Sequence, residues 1–171
     1  MIKKIGVIIS LMLCCFIYMK GQDMDMDMSQ RLTSQGAWFL FSVRTEEKVG
    51  EEILTQVEFF KRDDISSLFF DDENKLYTVF SKYSSDIYED RWKLVDDTHF
   101  VMVSPTDGAS QIVEILEIDD SKLVLRNCGD IENGTSCSLY TYFSTKEGWL
   151  PDSEIDSLNT AGIIQVDEMT P

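Results

Sequence analysis

Behind Gly36 the chain is a succession of short apolar runs, each broken within roughly ten residues by Asp, Asn, Gly or Pro. No run keeps a helical period long enough for a substantial helix before Trp149. The pattern predicts strands over residues 37–44, 54–60, 66–70, 75–81, 87–95, 98–104, 111–118, 122–128 and 137–144, all rich in Val, Ile, Thr, Phe and Tyr. The breaks carry turn chemistry. In Asp71-Asp72-Glu73-Asn74, Pro105-Thr106-Asp107-Gly108, Asp119-Asp120-Ser121 and the stretch from Gly129 to Gly134, Asp and Asn can bond their own backbone and Gly accepts positive φ. Links this short join antiparallel neighbours, because a parallel pair needs a crossover of about a dozen residues or more. The expected fold is therefore all-β, an antiparallel up-and-down meander. Closure into a barrel of about eight strands would remove its edges and leave an interior filled by side chains or by one small ligand. A β-sandwich is the alternative.

Alternation assigns the faces. Trp92 and Leu94 oppose Arg91 and Lys93, Leu123 and Leu125 oppose Lys122 and Arg126, and Trp38 pairs with Leu40, although Val124 falls on the charged side. Trp38, Leu40, Trp92, Leu94, Leu123 and Leu125 are thus the expected inner lining, among which an apolar or amphipathic ligand would bind. Some strands are apolar on both faces, as in Phe39 and Phe41 beside Trp38 and Leu40, or Val101 and Val103 beside Phe100 and Met102. Those need an outer cover. The tail can supply it, since Pro151-Asp152-Ser153-Glu154 reads as a helix start, Ile155, Leu158 and Ile163 as an apolar stripe, and Gly162 as a stop.

The N-terminus has the order of an export signal: Lys3 and Lys4, an apolar run from Ile5 to Met19, then Lys20-Gly21-Gln22. The run is shorter than the roughly 18 to 20 residues of a membrane-spanning helix, so cleavage near Gly21-Gln22 and an extracytoplasmic protein are expected, with no transmembrane segment in the mature chain. Lipid anchoring through Cys14 or Cys15 is the alternative, poorly supported because Leu13 is large and Phe16 to Met19 continue the apolar run. The expected organisation is a signal peptide over 1–22, an acidic tether over 23–35, the barrel over 36–145 and a C-terminal tail over 146–171. The tether contains Asp23-Met24-Asp25-Met26-Asp27-Met28, has no apolar periodicity, and reads as an unstructured leader rather than a thioether site for Cu(I).

The whole chain has 15 basic and 31 acidic residues and a net charge of −16. Loss of residues 1–22 removes Lys3, Lys4 and Lys20 and no acid, which makes the mature protein more acidic still. Such a surface excludes nucleic-acid binding, which depends on Lys and Arg displacing counterions from phosphate. Nothing assembles a catalytic constellation. His99 is the single histidine, beside the Asp96-Asp97 turn; no Gly-X-Ser-X-Gly, phosphate loop or Cys-X-X-Cys occurs, and the acidic turns lack calcium-loop spacing. The chain reads as no enzyme, with no metal and no cofactor. Cys128 and Cys137 are the cysteines left after cleavage and are expected to join as a disulfide in an oxidising compartment. Asn133-Gly134-Thr135 matches a glycosylation sequon but reads as turn chemistry.

Gly36-Ala37-Trp38 on the first strand behind an export signal, then Trp92-Lys93-Leu94 and the segment from Ile112 to Leu125, resembles the bacterial lipocalin-like domain family over residues 32–144. The resemblance implies a barrel of eight or nearly eight strands whose base Trp38 closes and which can hold an apolar molecule. The Thr-Asp-Tyr motif of the animal lipocalins is absent, so their ligands are not implied. The expected function is binding of a small apolar or amphipathic ligand inside the barrel. The alternative is a filled barrel acting as an interaction or inhibitor module, with an unknown protein partner, through its loops and exposed aromatics such as Tyr140 and Tyr142.

Overall fold

The acidic breaks fold as turns held by their own side chains. Asp71 Oδ1 accepts the backbone N–H groups of Glu73 (3.0 Å) and Lys75 (2.7 Å), and Asn74 between them takes a φ of 63°. Asp119 Oδ1 does the same for Ser121 (2.7 Å) and Lys122 (2.8 Å). The computed structural model describes residues 26–64, 66–79, 86–161 and 163–166; the expected export signal, with Cys14 and Cys15, lies outside the described residues.

The elements run α1 (Met28–Ser34), β1 (Ala37–Val49), β2 (Glu52–Phe59), β3 (Ser67–Phe70), β4 (Lys75–Val79), β5 (Ile87–Asp96), β6 (His99–Val103), β7 (Ser110–Ile118), β8 (Lys122–Ile131), β9 (Gly134–Phe143), α2 (Asp152–Ala161) and β10 (Ile163–Val166). Strand pairing is antiparallel throughout, and β9 returns to β1. On its other edge β1 pairs β2 through residues 42–49 and β3 through residues 37–39. The Phe60 N–H to Phe41 carbonyl and Leu40 N–H to Ser66 carbonyl bonds, each 2.9 Å, bridge the break, so β2 and β3 act as one interrupted strand. Eight strand positions therefore close into a barrel, as the meander predicted, and β10 adds to the free edge of β2.

A β-bulge between Leu40 and Ser42 changes the phase of β1. Trp38 and Leu40 point inward before it, Val43 packs against the same core after it, and Phe41 is turned outward. Outside, Phe41 meets Phe59, Phe143 and Trp149 edge to face at 5.6, 5.3 and 5.3 Å, and the Trp149 indole donates to the Phe60 carbonyl at 2.9 Å. The tail thus covers the apolar outer face of β1, as the sequence requires. Helix α2 packs on β2, with Ile155 fully buried. Its Asn159 clips the β2 edge, accepting from Phe59 N–H (2.7 Å) and donating to the Phe59 carbonyl (2.9 Å). Side-chain amide and β10 together protect an edge that would otherwise be open to pairing with another chain.

Three sequence expectations need correction. The leader is not wholly unstructured: Asp27 N-caps α1 by accepting from Gln30 N–H at 2.8 Å, Gln30 returns the bond, and Leu32 is fully buried in the barrel core with Met28 packed against it. One of the methionines offered as a metal ligand is therefore used in packing. Residue Ile163 does not extend the tail helix, which ends at Ala161, but begins β10. The stretch from Gly129 to Gly134 is not a long loop. Strands β8 and β9 run on to Ile131 and Gly134, leaving a turn at Glu132 and Asn133, with Asn133 at φ 64°. Gly134 lies in a strand for a different reason: a Cβ there would overlap the Lys48 carbonyl oxygen of β1. Within this hairpin Cys128 and Cys137 face each other and form the expected disulfide, with Cα atoms 4.0 Å apart.

Candidate ligand cavity

The interior divides by height. At the base, under the end where α1 sits, Trp38, Phe70 and Leu76 are fully buried, and Trp38 donates its indole N–H to the Leu32 carbonyl at 3.2 Å. Phe70 lies edge-on to Trp92 (5.2 Å) and to Phe100 (5.4 Å), and the Trp92 indole donates to the Asp71 carbonyl at 3.3 Å. Both indole donors are thus satisfied, as burial demands. Above this floor lies a cavity of about 1100 Å³, partly open to solvent. Its walls come from residues two apart on successive strands: Phe100 and Met102, Gln111 and Val113, Leu125 and Asn127, Tyr140 and Tyr142. Leu68, Thr78, Tyr88 and Asp90 complete the side formed by β3 to β5.

Of the six residues predicted to line the interior, only Leu125 lines this cavity. Trp38, Leu40, Trp92 and Leu123 are buried in the floor, and Leu94 packs against that core half-buried. Alternation assigned each of them the inner face but carries no information about height. The cavity-lining residues missed by that reasoning share its signal: Phe100 with Met102 is as good an alternating pair as Trp92 with Leu94. Tyr140 and Tyr142, expected as exposed aromatics of an interaction surface, face the interior instead. Their rings stack at 6.5 Å, Tyr142 is 5% exposed, and burial pushes its phenol well above the usual range, so it stays a neutral hydroxyl.

The lining is graded from apolar to polar. Leu68, Phe100, Val113 and Leu125 are buried against the floor, whereas Gln111, Asn127, Ser104 and Thr106 stand toward the mouth. Two buried side-chain atoms among the described residues lack a hydrogen-bond partner, Ser66 Oγ and Asn127 Oδ1, and the second belongs to the cavity wall. An unpaired buried acceptor costs stability. Asn127→Leu is therefore expected to stabilise the unliganded protein by about 1 kcal/mol, read as a higher Tm, while weakening any ligand that donates a hydrogen bond there.

His99 stands away from the cavity, where β6 begins. Its Nδ1 lies 3.0 Å from Asp96 Oδ1, which also accepts the Thr98 N–H (2.7 Å) and hydroxyl (2.9 Å). The Thr98 backbone N–H, then His99 and the Thr98 hydroxyl, hold the Asp96 carboxyl down to about 2. That is an exposed turn held by its own side chains. A folded-state value below the unfolded one means that any stability contributed by Asp96 is complete above about pH 4 and is lost as the pH falls through 2. An NMR titration of the Asp96 carboxyl should give a midpoint near 2, and a midpoint near 4 would refute the turn geometry. Among the described residues no group of three or more His, Cys, Asp or Glu side chains could hold a metal ion, and no helix is long and apolar enough to cross a membrane.

No protein-family model matches the chain, and no curated protein matches it. Among solved structures the chain is similar to a deswapped triple mutant of bovine odorant binding protein, with 15% identity over 79% of this chain and 89% of that one and a TM-score of 0.41. It is also similar to the complex of bovine odorant binding protein with a selenium-containing odorant (14% identity, 84% and 88% of the two chains, TM-score 0.42). Lipocalin 12 from rat epididymis matches with 10% identity over 81% and 78% of the two chains and a TM-score of 0.42.

Proposed function

We propose that this protein is an exported lipocalin-like carrier or sensor, of the bacterial kind that its Gly36-Ala37-Trp38 start resembles, which holds one small apolar or amphipathic molecule in the barrel. The observation that carries the reading is the cavity of about 1100 Å³, whose apolar inner part is closed below by a packed floor. Ligand pockets commonly enclose about 300 to 1,000 Å³; this space, partly open to solvent, lies just above that range and has room for a small molecule. A graded lining of this kind fits a molecule with an apolar body inward and a polar group toward the mouth. The export signal and the Cys128–Cys137 disulfide support work outside the cytoplasm.

The test is titration with a neutral environment-sensitive fluorophore, N-phenyl-1-naphthylamine. Saturable enhancement with one site per chain is expected. Absence of saturable binding by folded protein overturns the carrier reading in favour of an interaction module. Native mass spectrometry of protein taken from its own host would then look for the retained molecule.

A further inference from the structure

Among the described residues around the cavity the charged ones are Glu89 and Asp90, and none is Lys, Arg or His. Asp90 lies two residues from the inward Trp92 and opposite the inward Leu76, so it belongs to the inner face of β5. It is half-buried there, and none of the ion pairs of the described residues includes it. The nearest bases in sequence, Arg91 and Lys93, alternate to the outer face. A half-buried carboxylate on a cavity wall favours a counter-charge. The chain's net charge of −16 adds a field of the same sign, which a low-dielectric cleft concentrates. Asn127, on the opposite part of the wall, offers an amide oxygen that lacks a donor. The described lining thus supplies acceptors and negative charge, and no balancing cation.

We infer that the cavity takes a cationic amphiphile, an apolar chain or ring bearing a protonated amine, with the ammonium at Asp90 and the apolar body on Phe100, Val113 and Leu125. This rests on the carrier reading above and specifies its ligand class. A fatty-acid carboxylate would meet like charge at Asp90 and find no cationic side chain among the described residues around the cavity.

The experiment is displacement of bound N-phenyl-1-naphthylamine by dodecylamine and by dodecanoate at neutral pH, low ionic strength and concentrations below micelle formation. Dodecylamine is expected to displace the probe at about tenfold lower concentration than dodecanoate, and the gap is expected to shrink in high salt. Asp90→Asn should bring the two within about threefold, whereas Asp72→Asn, the same charge change in the exposed turn at the base, should leave the gap intact. Asp90→Ser serves if the asparagine variant does not give a native circular dichroism melt. If dodecanoate competes as well as dodecylamine while the neutral probe still binds, the cationic class is wrong and the carrier reading survives. A preference that persists in folded Asp90 variants overturns the assignment to that carboxylate. Failure of the neutral probe to bind at all overturns the carrier reading itself.

Discussion

Replacing Phe70 with alanine is expected to destabilise the barrel by about 4 kcal/mol, since a fully buried phenylalanine truncated to alanine costs about 3 to 5 kcal/mol. The ring sits between Trp92 and Phe100 in edge-to-face contacts, and those pairs contribute beyond the area they bury. For a chain of this size the loss lowers Tm by roughly 10 to 15 °C. The position also separates floor from cavity: Phe100 lines the cavity and Phe70 lies directly behind it. A folded Phe70→Ala variant should therefore gain depth and accept a longer apolar chain than the parent. A melt within 3 °C of the parent, read by near-UV circular dichroism, would show that the floor is not packed as described.

Trp38→Ala should cost a similar amount, about 3 to 5 kcal/mol, with a different signature. Trp38 is fully buried and its indole N–H reaches the Leu32 carbonyl, so its removal unseats α1 as well as opening the base. Trp38→Phe retains most of the apolar area and removes the donor, leaving a buried carbonyl unpaired; about 1 to 2 kcal/mol is expected. Hydrogen exchange locates the effect. Amides of α1 should lose protection in both variants, while those of the β8–β9 hairpin, stapled by Cys128–Cys137, should keep theirs in Trp38→Phe. Unchanged protection in α1 would mean that the helix is held by Leu32 and Met28 alone.

The contrast between Trp92 and Met102 shows how far the sequence could be read. They are partners across β5 and β6, and only Trp92 was assigned to the lining, because β6 is apolar on both faces; yet Trp92 is floor and Met102 is cavity wall. A period of two tells which way a side chain points. Whether the space in front of it is full depends on the volumes that all the other strands bring to the same height, from positions far away in the chain. For the same reason Tyr140 and Tyr142 could be taken for surface aromatics. Their alternation was visible, but which face closes inward was decided by pairing with β1 and β8. Asp90 was hidden in the run Glu89-Asp90-Arg91, where an acid beside a base reads as ordinary surface.

By itself the sequence determined the local geometry of this protein. Aspartates at the breaks made turns, alternation chose the inner face of strands with one charged side such as β5, and the antiparallel order followed from short links. The spacing of Cys128 and Cys137 placed the disulfide across a hairpin. Each of these depends on residues within a few positions of one another, so the pattern suffices. Tertiary structure alone decided the bulge after Leu40, the seat of Leu32 beneath Trp38, and the clip of Asn159 on Phe59 across 100 residues of sequence. It also decided where the barrel is empty. A cavity is the difference between the volume that eight strand positions enclose and the volume that their inward side chains fill, and no single segment of the chain contains that difference.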